Sequence, residues 1–228
     1  MSEIAIVIPT LGRPKKLFPL AWNIANTAPA VFQIYFVVND DDEISQQTVR
    51  GMAGPIHLVT TQEHGYPKAV NVGVQASEEP LIAIVNDDVK FHPGWWDGLC
   101  KALTPLVSVI ATNDLSPHTA NGDACTQPVV KRDYIKLHGG AWGEPGVTMH
   151  EGYIHNFSET ELFDVAMYRG VAAFAPECVI EHVHPDWGKA EIDDTYRAGS
   201  RRPGGWEHDR DLYTERSALW RVPVPCQQ

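Results

Sequence analysis

Three observations predict an α/β fold built on a mostly parallel sheet flanked by helices. Short, continuous apolar runs recur at residues 4–8, 34–38, 56–59, 81–85 and 107–111. Segments with helical spacing of apolar residues lie between several of them. Acidic or polar turn residues follow three of the runs directly. Strands that are apolar throughout, and not alternating, are covered on both faces, which is the condition of a parallel sheet packed between helices.

Each element has a local reason. Residues 14–27 place Leu17, Leu20, Ala21 and Ile24 on one helical face. Pro67 suits the first turn of a helix, where its missing N–H costs nothing. Ala69, Val72, Gly73 and Ala76 follow it at helical spacing. From 113 to 156 the chain is rich in Gly, Pro, His and Asn and reads as loops, with one short helix near 131–138. A helix is expected from Ser158, and strands over 171–175 and 178–183. The tail from Gly188 is polar and aromatic, with helical stretches around 190–198 and 209–219. No linker separates two units, so one domain over 1–228 is expected. Residues 1–112 form one half of it, and about 113–228 an elaborated second half.

Composition narrows the function classes. Of 228 residues, 43% are apolar and 21% charged, as in an ordinary globular protein. The formal net charge is -11, and no basic run exceeds two residues. Nucleic acid is therefore a disfavoured partner, because phosphate contacts demand a basic face. Cys100, Cys125, Cys178 and Cys226 are irregularly spaced with no CxxC pair, which predicts reduced thiols and a cytoplasmic setting. The first apolar run is too short for a signal sequence, and no stretch approaches the ~20 apolar residues of a membrane span.

In open α/β sheets, ligands bind beyond the carboxyl ends of the strands. Those positions here are Pro9-Thr10-Leu11-Gly12-Arg13, then Asn39-Asp40-Asp41-Asp42-Glu43, then Asn86-Asp87-Asp88. Turn preference alone explains either acidic cluster. Two such clusters on one sheet edge repel each other unless a cation or polar ligand lies between them. A hard divalent cation with oxygen ligands suits that edge.

Further along, Ser158-Glu159-Thr160-Glu161 precedes Leu162, Val165 and Ala166. The pattern predicts a capping box, with Ser158 as N-cap and Glu161 reaching back to it. Glu161→Gln should then cost little, since glutamine also serves there. Glu159, at the first helical position, has no such duty, and the helix N-terminus favours its ionised form. His182 and His184 share one face if their segment is a strand, and their spacing suits a divalent transition metal. Trp142 lies in a glycine-rich segment and is a candidate acceptor contact.

Several of these segments together resemble family 2-like GT-A glycosyltransferases. Residues 4–10 with Arg13 are similar to the family's opening strand, and Phe36 to Asp40 to its second strand. Gly65 to Gly73 resembles its glycine-led helix, and Asn86-Asp87-Asp88 with His92-Pro93-Gly94-Trp95 resembles the DxD motif and its downstream proline. The resemblance spans residues 4 to about 99 and departs at Asn86 and Asn39, where aspartates are common.

The resemblance implies a GT-A (Rossmann-like) fold, with the first half binding a nucleotide-sugar and the second half an acceptor. It implies Pro9, Thr10, Arg13, Asn39, Asp40, Lys68, Asn71, Asn86 and Asp87 as donor-binding residues. Asp88 becomes the surest metal ligand for Mn²⁺ or Mg²⁺, joined by His182 or His184, with His184 favoured. Glu159 becomes the general base. The expected activity is inverting transfer from a nucleotide-sugar, a UDP-sugar foremost, to a hydroxyl acceptor. That acceptor is a glycan, a protein side chain or a modified base. A metal-dependent hydrolase and a non-catalytic nucleotide-sugar-binding protein are the alternatives.

Overall fold

The computed structural model describes residues 3–28, 31–198 and 201–221. Cys226 lies outside them.

The first half alternates strand and helix. The elements are β1 (Ile4–Thr10), α1 (Pro14–Thr27), β2 (Phe32–Asn39), α2 (Glu43–Arg50), β3 (Ile56–Thr61), α3 (Tyr66–Ala76) and β4 (Leu81–Ile84). Then come β5 (Val89–Phe91), α4 (Trp95–Ala102), β6 (Val109–Asn113), β7 (Pro128–Lys131) and α5 (Arg132–His138). The second half adds α6 (Ser158–Tyr168), β8 (Ala172–His182), α7 (Asp194–Ala198) and α8 (Gly205–Ser217).

One sheet runs in the order β3-β2-β1-β4-β7-β6-β8-β5. Strands β1 to β4 are mutually parallel. β7 enters antiparallel between β4 and β6, and β8 returns parallel to β6. Pleating divides the core. Ile4, Ile6 and Ile8 of β1 lie on the α1 side, while Ala5 and Val7 face α3. Gly73 of α3 lies on Val7 and Val37, closer than any Cβ would allow. The helix therefore sits hard against the sheet at the edge that carries the site.

The predicted architecture is present, with differences in detail. The short helices α2 and α4 and the strands β5 and β7 were not expected. Each is eight residues or fewer, and contacts from distant segments fix it more than local periodicity does. The two strands expected over 171–183 are one strand, β8, with a bulge: Thr112 pairs with Ala175 but Asn113 with Val179. Pro176, which cannot donate to a ladder, sits in that bulge.

Candidate active site

The carboxyl ends of β1, β2 and β4 converge on a cleft of about 560 Å³. Thr10, Arg13, Asn39, Asn86, Asp87 and Asp88 line its sheet side. The segment Glu151–His155 lines the opposite wall, and His182 and His184 come from the end of β8. Thr195, Tyr196, Arg202 and His208 reach it from the tail.

Of the two acidic clusters, the first turns away, with Asp40 exposed and Asp42 capping α2, while the carboxylates of Asp87 and Asp88 are balanced inside the protein. Arg13 Nη1 lies 2.6 Å from Asp87 Oδ1 and 3.2 Å from Asp88 Oδ2. Its Nε and Nη2 donate to the two oxygens of Asp193, at 2.8 and 2.9 Å. Burial opposes the charge of this guanidinium, but Asp87, Asp193 and Asp88 outweigh it and keep Arg13 protonated. Thr10 Oγ1 donates to Asp87 Oδ2 at 2.8 Å, so both Asp87 oxygens are engaged. Burial pushes the Asp87 carboxyl up, with Arg13 opposing. Burial would also raise Asp88, but His182, the Tyr196 hydroxyl and Arg13 hold it well below the usual carboxylate range.

Asp88 is 7% exposed, and its Oδ1 is buried without a hydrogen bond although His182 Nε2 is 3.1 Å away. An orphaned carboxylate oxygen beside an imidazole nitrogen fits a divalent cation. Among the described residues no group of three or more His, Cys, Asp or Glu side chains could hold a metal. The protein's share of a coordination shell is then small, as for a cation that takes its other ligands from a bound diphosphate and water. His182, not His184, meets Asp88. The ring of His184 packs 4.7 Å from that of His182, and its Nδ1 accepts from the Asp186 amide at 3.2 Å.

Asn39, 7% exposed at the end of β2, donates through Nδ2 to the Glu63 carbonyl and to His64 Nδ1, both at 3.3 Å. Pro9 and Asn86 also line the cleft, but Asp40, Lys68 and Asn71 do not. Asp40 is exposed at the outer surface. Lys68 pairs with Glu63 at 2.8 Å. Asn71 is a bracket: its Oδ1 accepts from the Thr148 and Met149 amides, and its Nδ2 donates to the Met149 carbonyl and to Glu151. The Asn-x-Gly of α3 thus shapes the opposite wall from behind.

The start of α6 differs from the capping box. Phe157, at φ 64°, is the N-cap, and Ser158 is the first helical residue. Glu161, 1% exposed, does not reach back. It pairs with Arg216 at 2.7 and 2.8 Å and accepts from the Tyr153 hydroxyl and the Trp142 amide. A tertiary partner of the opposite charge outcompetes the local cap. Glu159, at the second helical position, accepts from Ser158 Oγ at 3.0 Å. The ring of Tyr66 lines the cleft, and its buried hydroxyl faces the Glu159 carboxyl from behind that wall. Burial pushes Glu159 up, with backbone, Tyr66 and Ser158 hydrogen bonds opposing, so the helix terminus does not set its ionisation alone.

Trp142 packs away from the cleft, against Tyr168 and Trp220, with Arg169 over its ring. Tyr66, His155 and Tyr196 are not singled out by the sequence, and Asp193 and Asp209 are left there between lid residues and solvated charge. Asp209 is fully buried in α8 and accepts from the amides of Ile154, His155 and Asn156, fixing the opposite wall. Burial pushes His155 down to about 4, which leaves it neutral at pH 7. Tyr66 directly follows Gly65 in a noted segment. Asp193, Tyr196 and Asp209 sit in a tail whose polar composition carries no periodic signal, and His155 lies in the loop-rich segment before α6.

A sheet edge that gathers Thr10, Arg13, Asn39 and Asp88, with a histidine returning from β8, is the frame of a GT-A fold. Residues 5–115 match the family model described as glycosyl transferase family 2, and the chain has the family 2-like GT-A fold. The structure resembles mannosyltransferase PcManGT from Pyrobaculum calidifontis, solved with GDP-Man and Mn²⁺, with TM-score 0.65 and 12% identity over 98% of this chain and 76% of that one. It also resembles glucosyl-3-phosphoglycerate synthase from Mycobacterium tuberculosis, solved with Mn²⁺, UDP and phosphoglyceric acid. There the TM-score is 0.59 and the identity 10%, over 98% of this chain and 80% of that one. No curated protein shows significant sequence similarity to the chain. No helix among the described residues is long and apolar enough to cross a membrane.

Proposed function

We propose that this chain is a metal-dependent, inverting glycosyltransferase that moves a sugar from a nucleotide-sugar, a UDP-sugar foremost, to a hydroxyl acceptor. The observation that carries the reading is the orphaned Oδ1 of Asp88 facing His182 Nε2 in a cleft at the carboxyl edge of the sheet. The relatives of the same fold that were solved with Mn²⁺ and a nucleotide or nucleotide-sugar support it.

Asp88 and His182 would hold Mn²⁺ or Mg²⁺, which supplies charge neutralisation to a departing diphosphate. Pro9, Thr10, Asn39 and Asn86 form the sheet-side wall that receives the nucleotide. Arg13 keeps Asp87 and Asp88 together at the edge, and Asn71 and Asp209 set the wall where the acceptor approaches. Glu159 is the proposed base. Its raised pKa suits proton abstraction, and the Tyr66 ring must move aside to admit the acceptor hydroxyl to it. One base and one nucleophile give a single displacement and inversion. Reduced Cys100, Cys125 and Cys178 suit work in the cytoplasm.

Glu151 is the carboxylate on the opposite wall that does line the cleft. It serves as the control for the base. Glu159→Gln should lower acceptor-dependent transfer by roughly 10²–10⁴-fold with donor affinity unchanged, while Glu151→Gln should retain most activity. The reverse order would make Glu151 the base.

A further inference from the structure

We infer that the tail segment around α7 belongs to the metal site, with Tyr196 and Asp193 as positioning residues for Asp88. The inference rests on the metal-dependent reading above. A free carboxylate turns about its Cβ–Cγ bond and presents either oxygen, or both, to whatever cation is nearest. Here the nearest protein cation is Arg13, and left to itself Asp88 would close on it and offer the cleft nothing.

Three contacts from the tail prevent that. The Tyr196 hydroxyl donates to Asp88 Oδ2, the same oxygen that Arg13 Nη1 approaches at 3.2 Å. Asp193 draws the other edge of the Arg13 guanidinium to itself with two hydrogen bonds, at 2.8 and 2.9 Å. The Tyr196 ring lies under that guanidinium, 4.4 Å from ring centroid to Cζ. Tyr196 and Arg13 thus both meet Asp88 at Oδ2. Oδ1, buried and without a hydrogen bond, is left facing His182 Nε2 at 3.1 Å.

The segment is fastened for this purpose at both ends. Asp193 Oδ1 accepts from the Tyr196 amide at 3.1 Å, which closes the turn into α7. Thr195 Oγ1 donates to the Leu11 carbonyl at 2.7 Å, which ties the turn to the loop after β1. Tyr196 itself is 5% exposed. Asp87 cannot substitute as the ligand, because Thr10 and Arg13 take both its oxygens. Which oxygen Asp88 presents to the cleft is therefore set by residues about a hundred positions later in the chain.

Hydrogen bonds that orient a ligating side chain typically contribute 10–100-fold in metal affinity. The test is Mn²⁺ alone, titrated into the full chain and followed by water-proton relaxation, with thermal unfolding as the check on folding. Tyr196→Phe should weaken Mn²⁺ binding by about 10–100-fold with little change in unfolding midpoint. Asp193→Asn should weaken it in the same direction, because Arg13 is then free to move further onto Asp88. A Tyr196→Phe protein that binds Mn²⁺ as tightly as wild type, or more tightly, would overturn the inference. Tighter binding would mean that the phenol competes with the cation. Asp88→Ala separates this outcome from failure of the functional reading: unchanged Mn²⁺ binding in that variant would dismiss the metal site itself.

Discussion

Glu159 and Glu161 stand two positions apart on one helix in different surroundings. Glu161 is closed off by Arg216, Tyr153 and the Trp142 amide, and these partners hold its pKa down against burial. Breaking a buried pair leaves an uncompensated charge, so Glu161→Gln should cost about 3 kcal/mol of stability in urea unfolding. The local pattern alone predicts almost no cost. A loss below about 0.5 kcal/mol would restore the capping role. Glu159 carries the opposite shift. Its charged form is disfavoured by burial, so its pKa lies above the ordinary 4.5. A base must be ionised, so transfer is present above that raised value and is lost as pH falls through it. The acid limb of the pH profile of kcat/KM should therefore lie above 4.5. A limb at or below 4.5 would remove Glu159 from the role.

At the scale of elements, legibility followed periodicity. The strands β1, β2, β3 and β4 were readable because each is a continuous apolar run, and the helices α1 and α3 because their apolar residues recur at helical spacing. Their carboxyl ends pointed to the segments that hold Thr10, Arg13, Asn39 and Asp88, and the family resemblance picked those residues out. The capping reading of α6 failed because the partner that decides it, Arg216, lies 55 residues away. Tyr196 was invisible, and Asp193 readable only as a lid residue or solvated charge, for the same reason: a contact across more than a hundred residues leaves no local trace. Two glycines show how tightly the readable elements are packed. A Cβ on Gly73 would meet Val7 at 2.5 Å and Val37 at 2.6 Å, and one on Gly98 would overlap the peptide between Glu177 and Cys178. Gly73→Ala presses on side-chain methyl groups and should cost about 1–3 kcal/mol. Gly98→Ala presses on backbone and should cost more, which thermal unfolding of the pair would rank. Asp209→Ala should strand three amides of the opposite wall and lower stability by about 3 kcal/mol in the same assay.

For the whole molecule, charge decides what the cleft accepts. The formal net charge is -11, and the arginine nearest the acidic edge is already held by three carboxylates. On the proposed reading a diphosphate would approach this chain against the general field, and a divalent cation at Asp88 and His182 would reverse the local sign. Donor binding should therefore require the metal. Calorimetric titration of nucleotide-sugars into the protein, with and without Mn²⁺, tests that directly. Binding and slow donor hydrolysis that require Mn²⁺, both lost in Asp88→Ala, are the predicted result. Donor binding of equal strength without metal and in Asp88→Ala, or cleavage within the diphosphate in place of the sugar bond, would contradict it.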